Sequence, residues 1–282
     1  MAGWALCAVA IALPATARYV KNLDVAVDTP VYALPVEATV PDAPLHYVLR
    51  WAGLPVATAS IEMHALERDG SVRMEGFGAT HPVLDWIYPY RFWGDARVAT
   101  APFGPDRFTI DECKNRRHDR TEVRYASGGP DVGSMHGTRH RKGRVKEYRY
   151  QSDNAFDIPT ATFLLMNLDY TEGATYELDT FTGKSRYLLR ARVAGREERS
   201  WSGTSHAVWR LELSTRELTD DDEDDQRHRE TQAWVTEERP RRLLYASSQT
   251  FVGAITIELS PAGDSPGSRV TPRPSVPGMP CR

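Results

Sequence analysis

The residues most suggestive of chemistry are those of 219–230, TDDDEDDQRHRE, where six acidic side chains stand in a row before Arg227, His228 and Arg229. Such a run could hold calcium, but an EF-hand loop needs glycine at its sixth position and a bidentate glutamate at its twelfth. Counted from Asp220, those positions hold Asp225 and Thr231, so the spacing fails. Adjacent carboxylates repel one another, which favours an extended, hydrated hairpin tip that guards the neighbouring strand ends. Weak cation capture, or docking onto a basic segment of the same chain, are the alternatives.

Two other patterns fail on similar grounds. Thr182-Gly183-Lys184-Ser185 resembles a phosphate loop, yet the glycine required five residues before Gly183 is replaced by Leu178, so a ring of backbone amides cannot form. His136 and His140 stand four apart, and with His118 could make a surface metal site. They lie in the glycine-bounded GSMHGTRHRKG, for which a hydrated basic hairpin is the expectation, and no metal ligand is assigned. C-x-x-C and H-E-x-x-H do not occur, the one G-x-S-x-G (263–267) lies in the proline-rich tail and not on a strand-to-helix elbow, and neither a catalytic residue nor a cofactor is assigned.

The aromatic stretch HPVLDWIYPYRFWGD at 81–95 carries Trp86, Tyr88, Tyr90, Phe92 and Trp93. Aromatics at this density plug one end of a barrel or line an apolar ligand cleft. For a cleft, the expected lining is Trp86, Tyr88, Tyr90 and Trp93, joined by Phe163 and Leu164 from a downstream apolar segment. Asp85, Asp95, Asp111 and Glu112 lie nearby in sequence. Paired carboxylates could hydrolyse an envelope polymer by acid–base catalysis.

The elements that must position these residues read mainly as strands. RYLLRARV sets Tyr187, Leu189, Ala191 and Val193 against Arg186, Arg190 and Arg192, with Leu188 the exception. VWRLELS alternates Trp209, Leu211 and Leu213 with Arg210, Glu212 and Ser214, and FVGAITIEL behaves likewise. A period of two means one buried and one wet face. Turn signals at 52–55, 127–133, 181–185 and 193–197 punctuate the pattern, giving about ten strands joined mostly by hairpins. Residues 158–167 break the rule: Asp157 can cap a short, nearly all-apolar helix with Pro159 in its first turn. The predicted class is all-β, a strongly curved antiparallel sheet or incomplete β-barrel with one short helix.

At the N-terminus, an apolar run from Trp4 to Leu13 precedes Pro14 and Ala15-Thr16-Ala17. It is too short to span a bilayer and predicts a signal peptide over 1–17, cleaved near Ala17, hence a periplasmic protein. Residues 18–44, with four prolines, read as an extended linker. Residues 45–259 read as a single β domain, and 260–282 as a disordered proline-rich tail. The net charge of −3 hides two poles. Residues 113–150 hold eleven Lys/Arg and four Asp/Glu, a net of +7, whereas 217–238 hold two arginines and ten acids, a net of −8. Interleaved Tyr125, Tyr148 and Tyr150 give the basic pole the look of a nucleic-acid surface. Export makes nucleic acid an unexpected partner and favours anionic lipid, lipopolysaccharide or the acidic segment.

The order of these features resembles the bacterial domain of unknown function 3108 family over residues 45–259. HYVLRWAGLPVATASIEM comes first, then WIYPYRFWGDARV, the DIPTATFLLMNL helix, ELDTFTGKSRYLLRARVAGREE, AVWRLELS, and AWVTEERPRRLLYASSQTFVGAITIEL. The resemblance implies an exported protein of Gram-negative bacteria and transfers no site. The expectation is a non-enzymatic monomer of the envelope that binds an apolar or lipid-like small molecule or an envelope protein.

Overall fold

The structure, a computed structural model, describes residues 27–261 apart from 36–37, 67–69, 116, 127–132, 142–143, 153, 184, 219–228 and 251–252. Segment 1–17, the acidic run at 219–228 and the tail from 262 lie outside these residues.

Fifteen strands form one sheet. The first eight are β1 (Leu45–Trp51), β2 (Leu54–Leu66), β3 (Ser71–Thr80), β4 (Tyr90–Thr100), β5 (Phe103–Lys114), β6 (Arg117–Tyr125), β7 (Ser134–Arg141) and β8 (Arg144–Gln151). The remainder are β9 (Ala155–Asp157), β10 (Thr175–Phe181), β11 (Arg186–Trp201), β12 (Thr204–Glu217), β13 (Arg229–Thr236), β14 (Leu243–Thr250) and β15 (Gly253–Leu259). A short helix α1 (Pro82–Asp85) joins β3 to β4, and α2 (Ile158–Asn167) follows β9. The spatial order is β8 to β1, then β15 down to β9. Neighbours are antiparallel except β9 and β10, which run parallel. The count exceeds the ten strands expected, although one segment read as a turn lies inside a strand. At 193–197 the chain does not turn; β11 runs on through a bulge between Val193 and Gly195, where Gly195 has a φ of +150°, open in practice only to glycine. At the β1–β2 hairpin the expected turn is present, with Ala52 and Gly53 both at positive φ, as a two-residue hairpin requires.

The two edge strands are consecutive in sequence. Only residues 152–154 separate β8 from β9, so the sheet must roll until its edges meet. No backbone ladder joins them, and the sheet stays open. Side chains close the seam instead. The Ser152 hydroxyl donates to Asp179 (2.8 Å), Asp179 is gripped by Arg186 (2.9 and 2.7 Å), and the Arg186 guanidinium lies 4.8 Å over the Tyr150 ring. Phe181 packs edge-on against Tyr150 (5.2 Å). A Cβ on Gly183 would come within 2.2 Å of Thr121 Cγ2, and one on Gly137 within 3.2 Å of the Phe181 ring. All of β9, and Leu178–Phe181 of β10, are buried on both faces. The sheet therefore rolls like a scroll, with the β9–β10 edge tucked inside β6–β8.

Helix α2 fills the inside of the roll, and all ten of its residues are buried. Its boundaries coincide with those read from sequence. Asp157 accepts the Thr160 amide at 2.7 Å, and Pro159 occupies the first turn. At the other end Arg241 donates to the Leu168 carbonyl (2.5 Å), a cation placed on the negative end of the helix dipole. Met74, Val98, Phe108, Val123, Leu211 and Ile257 belong with the helix residues to one core. Arg186, read from alternation as a wet-face residue, is buried by its pairing with Asp179. Residues 27–35 and 38–44 have no regular element but are tied to the domain. The Tyr32 hydroxyl bonds the backbone of Glu177, and the Thr39 amide donates to Asn167.

The outward face carries cross-strand ion pairs such as Arg73–Asp95, Arg190–Glu177 and Arg192–Glu212. A barrel that spans a membrane needs an outward apolar band instead. This wall faces water.

Candidate functional site

One end of the roll collects the β1–β2 turn, α1, the β5–β6 turn and the β10–β11 hairpin. It also carries five of the seven exposed large apolar side chains among the described residues. Trp51 is 46% exposed, Leu54 70%, Val83 66%, Trp86 81% and Ile87 60%. Trp51 pairs with Leu54 across the hairpin. The His81 amide donates to the Val56 carbonyl at 2.8 Å, seating α1 beside β2, roughly 7 Å along the strand from Leu54. The five side chains thus form one rim.

A polar bracket holds α1 in this position. Asp85 takes a fork from Arg91, with one contact of 2.6 Å, and accepts the Thr80 hydroxyl at 2.5 Å. Hydrogen bonding to Arg91 holds the Asp85 carboxyl below the usual range, and Thr80 adds to this against the opposing effect of burial. The His81 ring caps the first turn, and Pro82 suits its opening position. Apolar residues on a four-residue helix with no buried face are consequently presented outward.

The six residues expected to line a cleft are distributed over three environments. Trp86 stands on the exposed rim. Tyr88 lies just below it, half-buried, with the Lys114 ammonium 5.3 Å over its ring. Tyr90 turns into the mouth of the roll, donating its hydroxyl to Glu112 at 2.8 Å, and burial with the adjacent Glu112 charge pushes its pKa well up. Trp93 points to the outer face and packs on Phe77 at 5.6 Å. Phe163 and Leu164 belong to the core, 1% and 0% exposed. The structure therefore brings Trp86, Tyr88 and Tyr90 to one end and leaves the other three elsewhere. Of the acids, Asp95 pairs with Arg73, Asp111 with His118 and Arg120, and Glu112 with Tyr90. Asp111 and Glu112, adjacent on β5, project to opposite faces. His136 meets Glu147 at 3.6 Å.

A second polar cluster had no signature in the sequence beyond the helix cap. Where the edges overlap, Asp157 Oδ2, Thr160 Oγ1, Tyr125 Oη and Tyr150 Oη are buried with no hydrogen-bond partner. Full burial pushes the Asp157 carboxyl up to about 7, opposed only by Thr160. Tyr125 is raised by burial and by the charges of Asp157, Tyr150 and Asp179. These groups come from β6, β8, β9, α2 and β10, and only the roll brings them together. Cys113, on the outer face of β5, is in a disulfide. The other two cysteines, Cys7 and Cys281, lie outside the described residues.

The fold has a solved counterpart. A beta-barrel-like protein of domain of unknown function DUF1849 from Brucella abortus overlays with a TM-score of 0.54 at 7% identity, covering 77% of this chain and 95% of that one. The hypothetical lipoprotein YmcC from Escherichia coli K12 overlays with a TM-score of 0.28 at 8% identity, over 82% and 89% of the two chains. No curated protein matches the sequence. The family described as protein of unknown function (DUF3108) matches residues 46–260, almost the whole of the rolled sheet, and the chain belongs to that family.

Proposed function

We propose that this is an exported, non-enzymatic protein of the bacterial envelope that docks on a lipid surface through the rim of Trp51, Leu54, Val83, Trp86 and Ile87. The exposure of that rim carries the reading. Five large apolar side chains on adjoining turns exceed the scattered exposure normal for a soluble surface, and tryptophan favours the membrane–water boundary. Lys114, Arg117 and Arg144 at the same end complement anionic headgroups. The ion-paired wall keeps the rest of the molecule in water, so the protein would touch lipid without spanning it. The apolar leader at 4–13 and the disulfide at Cys113 support an oxidising destination outside the cytoplasm.

Vesicle flotation tests the proposal. The protein should co-float with vesicles of phosphatidylcholine and phosphatidylglycerol. The double variant Trp86→Ser/Ile87→Ser should lose about a hundredfold in affinity, the effect of withholding two large apolar side chains from the bilayer. Absence of co-flotation, or unchanged affinity in the variant, would sink the idea.

A further inference from the structure

On β6, β7 and β8 the inward face changes character toward the rim end. Val123, Met135, Gly137 and Tyr150 are core, but the same faces continue as Asp119, Arg139, Arg141, Arg144 and Lys146. Asp119, 6% exposed, meets three guanidiniums: Arg139 Nη2 at 2.9 Å, Arg117 Nε at 3.3 Å and Arg141 Nε at 3.5 Å. One carboxylate cannot neutralise three cations, and the fit is poor: Arg139 Nε, Arg117 Nε and Asp119 Oδ1 are all buried with no hydrogen-bond partner, a costly state for charged groups. Strand register adds to the imbalance, because Arg141 stands opposite Arg144. Like charges directly across a ladder destabilise it. The β10–β11 turn walls the cluster on one side, with Gly183 against Thr121, while Arg117 and Arg141, about one third exposed, leave it open to solvent at the mouth.

We propose that Arg117, Arg139 and Arg141, backed by Arg144 and Lys146, form an anion site that takes a phosphoryl group. Three guanidiniums against one carboxylate leave two positive charges, the charge a phosphomonoester neutralises. A guanidinium fork matches phosphate oxygens two at a time. Two sources carry such a group, a small soluble molecule and a lipid headgroup, since the site opens at the end that bears the apolar rim. The site shares Arg117 and Arg144 with the basic flank of that rim but uses none of its apolar side chains.

Titration calorimetry of the mature full-length protein with inorganic phosphate and with glycerol phosphate at low salt provides the test. Wild type should bind. Arg141→Gln and Arg144→Gln, both at solvent-reached positions, should weaken binding about tenfold, with unchanged melting temperatures. Asp119→Asn should tighten it, because the competing carboxylate is neutralised. Trp86→Ser/Ile87→Ser should leave phosphate affinity as it was, so that failure of the lipid-docking reading and failure of this one are separable. Binding of the soluble phosphates assigns a small-molecule source. Binding only to vesicles containing phosphatidic acid, lost in Arg141→Gln, assigns a headgroup. No binding to the soluble phosphates or to the vesicles, or equal affinity in wild type and Arg141→Gln, overturns the site.

Discussion

Asp157 does two jobs that pull in opposite directions. As N-cap of α2 it accepts the Thr160 amide through Oδ1, while Oδ2 has no partner and the whole side chain is buried. Its carboxyl, ordinarily at 3.8, is pushed up to about 7 in the fold. Between those values the folded state keeps a proton that the unfolded chain has released, so stability falls as pH rises through that window, and the loss is complete above about 7. Asp157→Asn retains a capping side chain without the charge. It should be more stable than wild type at about pH 8 and indistinguishable at roughly pH 4, by urea midpoints; an equal difference at both would refute the assignment. Gly78 tests packing at the same scale. A Cβ there would lie 2.1 Å from the Phe92 ring, which is itself core, so Gly78→Ala should cost about 1–3 kcal/mol by overpacking. A neutral result would mean that the ring has room to move.

At the scale of elements, the seam sets what each strand must do. β9 and the end of β10 have no wet face, and an ion pair buried with them, Asp179–Arg186, links β10 and β11 to Ser152 after β8. Removing one partner strands the other charge in the interior. Arg186→Met should therefore destabilise by about 3–5 kcal/mol, whereas Asp179→Leu/Arg186→Met should recover much of that loss. Hydrogen exchange should show protection lost first at β8 and β9. A double variant no better than the single one would mean that the pair also shapes the seam. The rim is an element-scale feature too. α1 has four residues and no buried one, so its placement rests on the Asp85–Arg91 bracket and not on packing.

At the scale of the whole molecule, one end of the roll concentrates an apolar half, on the β1–β4 turns, and a basic half, on β5–β8. The two halves meet where Lys114 covers Tyr88. Oxidation state reports the destination: protein recovered from the periplasm should resist thiol alkylation at Cys113 until reduced. Labelling of the unreduced protein would contradict an exported fate.

Much of this was legible in the chain. Period-two alternation determined the all-β class, because a strand with one buried face must alternate, as Trp209, Leu211 and Leu213 do. Cap chemistry at Asp157 and Pro159 determined α2, a local signal that needs no tertiary knowledge. The paired strands β12 and β13 bracket the acidic run, as hairpin topology required. What the tertiary structure decided depends on the curl of the sheet, which no local pattern encodes. Rolling β9–β10 inside β6–β8 buried Arg186 with Asp179 and packed Phe163 and Leu164 out of reach. It also left α1 on the outside with Trp86 in water, and turned Arg139 and Arg141 inward around Asp119. A period of two tells which residues share a face; only the closure of the sheet tells what that face looks upon.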